Sequence, residues 1–226
     1  MSIGGGPAGR DNDTGRLEAF SDGVFAIAIT LLIIEIGVPH LEEEPPGTTL
    51  PQALVGLWPS YLGYVISFLQ IGVIWANHHN RFRLIERSDH GLLFLNIVFL
   101  MCVAFIPFPT ALLAEYLEGS GPERETAGVI YAGTLAVTAL FFTLLWLYAA
   151  ANRLVDRDLD PSLLRVMTRR YLLGTVAYLL VFLLAFVNVA ASLILIIILA
   201  LLFVLPEPSD RGRKEGPRRA RGGGAG

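Results

Sequence analysis

Charge is scarce in this chain: of 226 residues, only 16% are Asp, Glu, Lys or Arg, against roughly a quarter in a soluble globular domain. That shortage excludes most soluble enzymes, coiled coils and wholly disordered proteins. Cysteine is almost missing too. The single Cys102 rules out an internal disulfide and reads as a small apolar side chain. The opening stretch MSIGGGPAGRDNDT lacks the apolar core of a cleavable signal peptide, so none is expected.

What is present is apolar and comes in blocks. Hydrophobic residues make up 54% of the chain and the mean hydropathy is +0.58. The blocks run from about Arg16 to Val38, Leu54 to Trp75, Gly91 to Ala114 and Ala127 to Ala151, with a final one from Tyr171 to Leu205. Each of the first four is long enough for a bilayer crossing, which takes about 20 apolar residues. The last is too long for one: 35 residues would make a helix of roughly 50 Å across a core of about 30 Å. It reads either as one overlong helix or as two short ones turning near Asn188. The flanking polar stretches, 1–15 and 206–226, are expected to be disordered around a membrane domain of residues 16–205.

Basic residues decide between those options. Arg10 and Arg16 precede or open the first block, Arg81, Arg83 and Arg87 follow the second, and Arg153, Arg157, Arg165, Arg169 and Arg170 follow the fourth. Six more lie beyond Pro206, whereas the two alternate loops hold only Arg124. If the last block crosses twice, 16 of 17 basic residues share one side. The positive-inside rule then puts both termini in the cytoplasm. The expected fold is an all-α membrane protein with six transmembrane helices, multi-pass in the cell membrane. No internal repeat is visible, so any symmetry must come from assembling several chains.

The first block differs from the others. It carries Arg16, Glu18, Ser21 and Asp22 near its cytoplasmic end and Glu35 near its outer end. Ionisable groups at membrane depth are costly and mark candidate functional sites. At 100° per residue, Phe20, Gly23, Ile27, Thr30, Leu31, Ile34 and Val38 fall on one face, and Asp22 falls near the opposite side. The polar corner of Arg16, Ser21 and Asp22 faces toward Trp75, His78 and Asn80 of the second block and Asn96 of the third. A buried Arg–Asp–His cluster is the expected anchor there.

Arg16, Phe20, Ser21 and Asp22 spell R-x-x-x-F-S-D, followed by G-V-F-A-I-A-I-T, and Trp75 with His78 gives W-x-x-H. The chain resembles the transmembrane protein 175 family of potassium channels. The resemblance covers the first three blocks, with its motifs in the first two, and the later helices match only in hydropathy. It implies a homotetramer whose four first helices line a central pore, with potassium as the permeant ion and no cofactor. No T-V-G-Y-G filter is present. The resemblance puts the constriction at Ile27, with Thr30, Leu31 and Ile34 beside or above it. It also implies an anchoring network of Arg16, Phe20, Ser21, Asp22, Trp75, His78, Asn80 and Asn96. The hydrophobic face derived from helical angles contains the same four constriction residues.

Other readings compete. The acids Glu42, Glu43, Glu44, Glu115, Glu118, Glu123 and Glu125 form either an outer vestibule or solvated loops. Glu35, inside the first block, favours the vestibule. His78 and His79 diverge by 100° and lack a third ligand, so no metal site is expected. The cytoplasmic arginines fit lipid headgroups of the bilayer and not nucleic acid. A secondary or proton-coupled transporter is the alternative; it calls for inverted repeats and broken helices, neither of which is evident. An enzyme is not expected, because Ser21 and Asp22 are neighbours on one helix and cannot converge on His78 as a triad.

Overall fold

The computed structural model describes residues 8–204. They form eight helices: α1 (Ala8–Leu31), α2 (Leu50–Gly56), α3 (Trp58–Phe82), α4 (His90–Phe105), α5 (Pro107–Tyr116), α6 (Pro122–Ala151), α7 (Pro161–Ala185) and α8 (Val189–Val204). Among the described residues the only β feature is an isolated antiparallel bridge between Ile85 and Val155. Proline opens α3, α5, α6 and α7, where its missing N–H costs nothing. Aspartates cap α4 and α7: Asp89 accepts from the Leu92 amide and Asp160 from the Ser162 amide, both at 2.8 Å. Backbone donation to the Asp160 carboxylate, with Arg165 nearby, holds its pKa below the ordinary value.

Four stretches are long and apolar enough to cross a membrane: α3, the combined α4–α5 stretch His90–Tyr116, α6 and α7. The α8 helix is apolar but shorter. Proline at 107 separates α4 from α5, as its ring obstructs a continuous helix. The long final block does split at Asn188. That residue caps α8 through its side-chain oxygen, which accepts from the Ala191 amide at 2.9 Å.

Three boundaries differ from the sequence expectation. The first helix begins at Ala8, inside the stretch expected to be disordered; residues 1–7 and 206–226 of those terminal stretches lie outside the described residues. Tertiary contact outweighs polar composition here. Buried Thr14 donates to the Glu86 carbonyl at 3.4 Å, and Leu17 packs with Phe82, Ile85, Leu92 and Leu154. At its other end α1 stops at Leu31, and turns follow, with amides of Ile33 and Ile34 bonded three residues back. Finally, α7 starts at Pro161, so Arg165, Arg169 and Arg170 are helical and not in a loop.

α6 is central and packs on α4, α5, α7 and α8, while α1 packs on α3 and α4. One apolar core runs through Phe25, Leu32, Ile71, Phe99, Val103, Leu135, Val181 and Ile196. Lipid supplies no hydrophobic drive between helices, so polar pairs and small residues do much of the joining. Ser67 lies 2.7 Å from the Thr110 hydroxyl and 2.9 Å from that of Tyr131. Gln70 donates to Tyr178 at 3.0 Å. Thr143 and Thr175 meet at 2.8 Å.

Candidate functional site

The α1 helix has two unlike faces. Leu17, Ser21, Phe25, Ala28 and Leu32 recur at three- and four-residue steps, and all are buried against α3 and α4. On the other side Phe20, Gly23, Ile27, Thr30 and Leu31 are exposed in the single chain. Ile27 is 61% exposed and Ile34 70%. Ile34 and half-buried Glu35 sit in the turns beyond the helix and not on its continuous face. The Thr30 hydroxyl donates to the carbonyls of Ala26 and Ile27, each at 2.9 Å. Its proton is thus committed to the backbone, leaving an oxygen lone pair for a cation.

Behind that face a polar chain crosses three helices. Ser21 donates to the Leu17 carbonyl at 2.8 Å, and Asn96 of α4 donates to Ser21 at 2.9 Å. The Asn96 carbonyl oxygen meets His78 Nε2 of α3 at 3.0 Å. The sequence of donors assigns the imidazole hydrogen to Nε2. Ser21, His78 and Asn96 are completely buried. Aromatic rings enclose the imidazole: Phe82 at 4.4 Å between centroids, and Phe25 and Phe99 both at 5.4 Å.

A second layer flanks the first. The Trp75 indole N–H donates to Asp22 at 2.9 Å. One turn along each helix, His79 Nδ1 lies 2.9 Å from a Glu18 carboxylate oxygen. Trp75 and His79 also stack, with 27° between ring planes. The pairs Glu18/Asp22 and Trp75/His79 are each spaced four apart, so two antiparallel helices meet through matching rungs. Glu18 and His79 were absent from the residues expected at the site. Their common spacing was the signal.

The expected Arg–Asp–His cluster does not form. Arg16 and Phe20 are exposed, Asn80 is half-buried, and among the described residues no side-chain hydrogen bond involves any of the three. Asp22 pairs with Trp75 in place of His78, because a carboxylate that keeps partial access to water avoids full desolvation. Arg81 was read as a loop residue, yet it is fully buried near the end of α3. Its guanidinium carbon lies 3.2 Å from the Phe142 ring centroid and 4.5 Å from that of Tyr171. Nη1 donates to the Phe142 carbonyl at 2.6 Å. Among the described residues no three His, Cys, Asp or Glu side chains converge as metal ligands.

Comparison with known proteins gives this arrangement a context. Residues 16–107 match the family described as endosomal/lysosomal potassium channel TMEM175. A potassium channel of Chamaesiphon minutus is 46% identical over 200 residues, covering 88% of this chain and 97% of that protein. A potassium channel of Streptomyces collinus is 45% identical over 182 residues, covering 80% and 87%. The crystal structure of a lysosomal potassium-selective channel TMEM175 homolog from Chamaesiphon minutus superposes with a TM-score of 0.77. It shares 44% sequence identity, over 87% of this chain and 99% of that one.

Proposed function

The chain belongs to the TMEM175 family of potassium channels, and on that premise we propose that it is a leak-type channel passing potassium in preference to sodium. Four copies assemble around a central axis in the cell membrane, each turning its α1 toward the pore. Six crossings, by α1, α3, α4–α5, α6, α7 and α8, leave both termini in the cytoplasm. The positive-inside rule favours that orientation.

One observation carries the reading: the apolar face of α1 around Ile27 stays exposed while the face carrying Leu17, Ser21, Phe25 and Ala28 is buried in its own chain. An uncovered aliphatic stripe on a helix held by polar anchors on its other side suits a pore wall. Four Ile27 side chains form the constriction, with Leu31 and Ile34 above. A narrow aliphatic ring excludes water and so bars a bare ion. A small outward tilt of α1 rehydrates the ring. Potassium gives up its water more cheaply than sodium, so partial dehydration favours it. Thr30 oxygens replace some of the lost water, and Glu35 gathers cations at the outer mouth. The Ser21–Asn96–His78 chain and the Trp75–Asp22 pair set how α1 leans on α3 and α4.

The experiment is purified protein in liposomes under opposed potassium and sodium gradients. A reversal potential that follows potassium is the expected result. Saturating flux that requires a proton gradient, without unitary current steps, would replace this reading with a transporter.

A further inference from the structure

A groove of about 500 Å³ runs between α7 and α8, outside the proposed pore. Leu173 and Ala177 of α7 and Leu199 and Leu202 of α8 make its walls, and Arg169 and Arg170 stand at its head. Its floor depends on a glycine: a Cβ on Gly174 would come within 2.8 Å of the Phe203 ring. The Arg170 guanidinium carbon lies 5.5 Å over that ring, which holds the charge at the groove. None of the described residues lining the groove is acidic.

Depth matters as much as charge. Arg169 and Arg170 follow Pro161 by eight and nine residues, about 12 to 14 Å along the helix. The apolar run of α7 begins with the next residue, Tyr171, and Phe203 lies in the last turn of α8. Two guanidinium groups therefore stand where hydrocarbon gives way to headgroups, with an apolar trough leading from them into the membrane.

We propose that this groove binds an anionic phospholipid, its phosphate against Arg169 and Arg170 and one acyl chain along Leu173, Ala177, Leu199 and Leu202. Guanidinium forks match phosphate oxygens, and each basic residue near a surface adds attraction for anionic lipid. Residues 206–226 carry six basic and three acidic residues, so taken as a whole they are a poorer counter-charge than a lipid phosphate. The inference rests on the membrane placement of α7 and α8 and not on ion conduction. Lipid retention by a chain that fails to pass potassium would sink the channel reading alone.

The test is native mass spectrometry of the full detergent-purified chain incubated with phosphatidylglycerol or phosphatidylcholine. The wild type should retain phosphatidylglycerol about tenfold better than phosphatidylcholine, R169K/R170K should keep part of that preference through charge alone, and R169Q/R170Q should lose it. A177W, with both arginines intact, should lose the bound lipid by filling the groove, while R153Q/R157Q in the preceding loop should behave as wild type. If R169Q/R170Q fails to fold, A177W decides. An unchanged preference in R169Q/R170Q, or an equal loss in R153Q/R157Q, overturns the site. Lipid that appears only after removal of residues 206–226 assigns the groove to the tail. A changed oligomer mass in A177W assigns it to a second copy, which also overturns the proposal.

Discussion

His78 and Asn96 meet at 3.0 Å across α3 and α4, and Asn96 links that imidazole to Ser21 of α1. All three side chains lie out of contact with solvent. Asn96 both accepts and donates, a pairing that an aliphatic side chain cannot supply. Asn96→Leu leaves His78 Nε2 stranded at a cost of about 1–3 kcal/mol and removes the donor to the Ser21 oxygen, whose own proton stays bonded to the Leu17 carbonyl. The variant should lose thermal stability in detergent, followed by size-exclusion chromatography after heating. Asn96→Gln, which keeps the amide but not its reach, should fall between. A melting midpoint for Asn96→Leu equal to wild type would mean that the chain of bonds holds nothing together.

Ile27 tests the proposed gate separately from the anchors. Its exposed side chain makes no core contact that a substitution would break, so Ile27→Asn should fold normally. Four polar amides at the ring would keep it wet. The leak current should then rise several-fold, and the reversal potential should shift toward that of a pore indifferent to potassium and sodium. Liposome flux under opposed gradients reads both. Unchanged current and reversal potential would remove Ile27 from the constriction.

The exposed face of α1 and the apolar blocks could be read from one strand of information, the spacing of apolar and polar residues. Period alone separated Ile27 and Leu31 from Asp22, and the polar Asn188 foretold the break between α7 and α8. Readings that depend on partners distant in sequence were out of reach. Arg81 counted as a loop charge because its burial is created by Phe142 and Tyr171, which arrive on α6 and α7. Hydropathy also runs past Leu31 without a drop, so it could not mark where α1 gives way to turns. Glu18 and His79 have no evident partner when each is read alone; only as a pair of rungs do they acquire a role.

The buried Arg81 leads to a further expectation. A planar guanidinium can lie flat between two rings while donating to a carbonyl, and an ammonium cannot reproduce that geometry. Arg81→Lys keeps the charge but loses the stacking on Phe142 and Tyr171. A loss of about 1–2 kcal/mol is expected, in the range of desolvated cation–π contacts. Thermal midpoints of wild type and variant in the same detergent measure it. A lysine variant as stable as wild type would mean that charge and not shape secures this site.

Gly128 tests the seam between α6 and α8. A Cβ added there would fall 2.7 Å from Val189 Cγ1 and 2.8 Å from Cγ2, closer than carbon atoms approach. Val189 opens α8 immediately after the Asn188 cap, and its branched side chain has little rotamer freedom in a helix. Neither partner can yield without moving α8, so Gly128→Ala should cost about 1–3 kcal/mol through overpacking. Removing both γ-carbons with Val189→Ala should restore part of that loss in the double variant, although Val189→Ala alone forfeits buried contact. The two effects are thus predicted to be non-additive, as expected for residues in contact. Melting midpoints of the four proteins close the cycle. Strict additivity, or a Gly128→Ala variant as stable as wild type, would mean that α6 and α8 do not approach this closely.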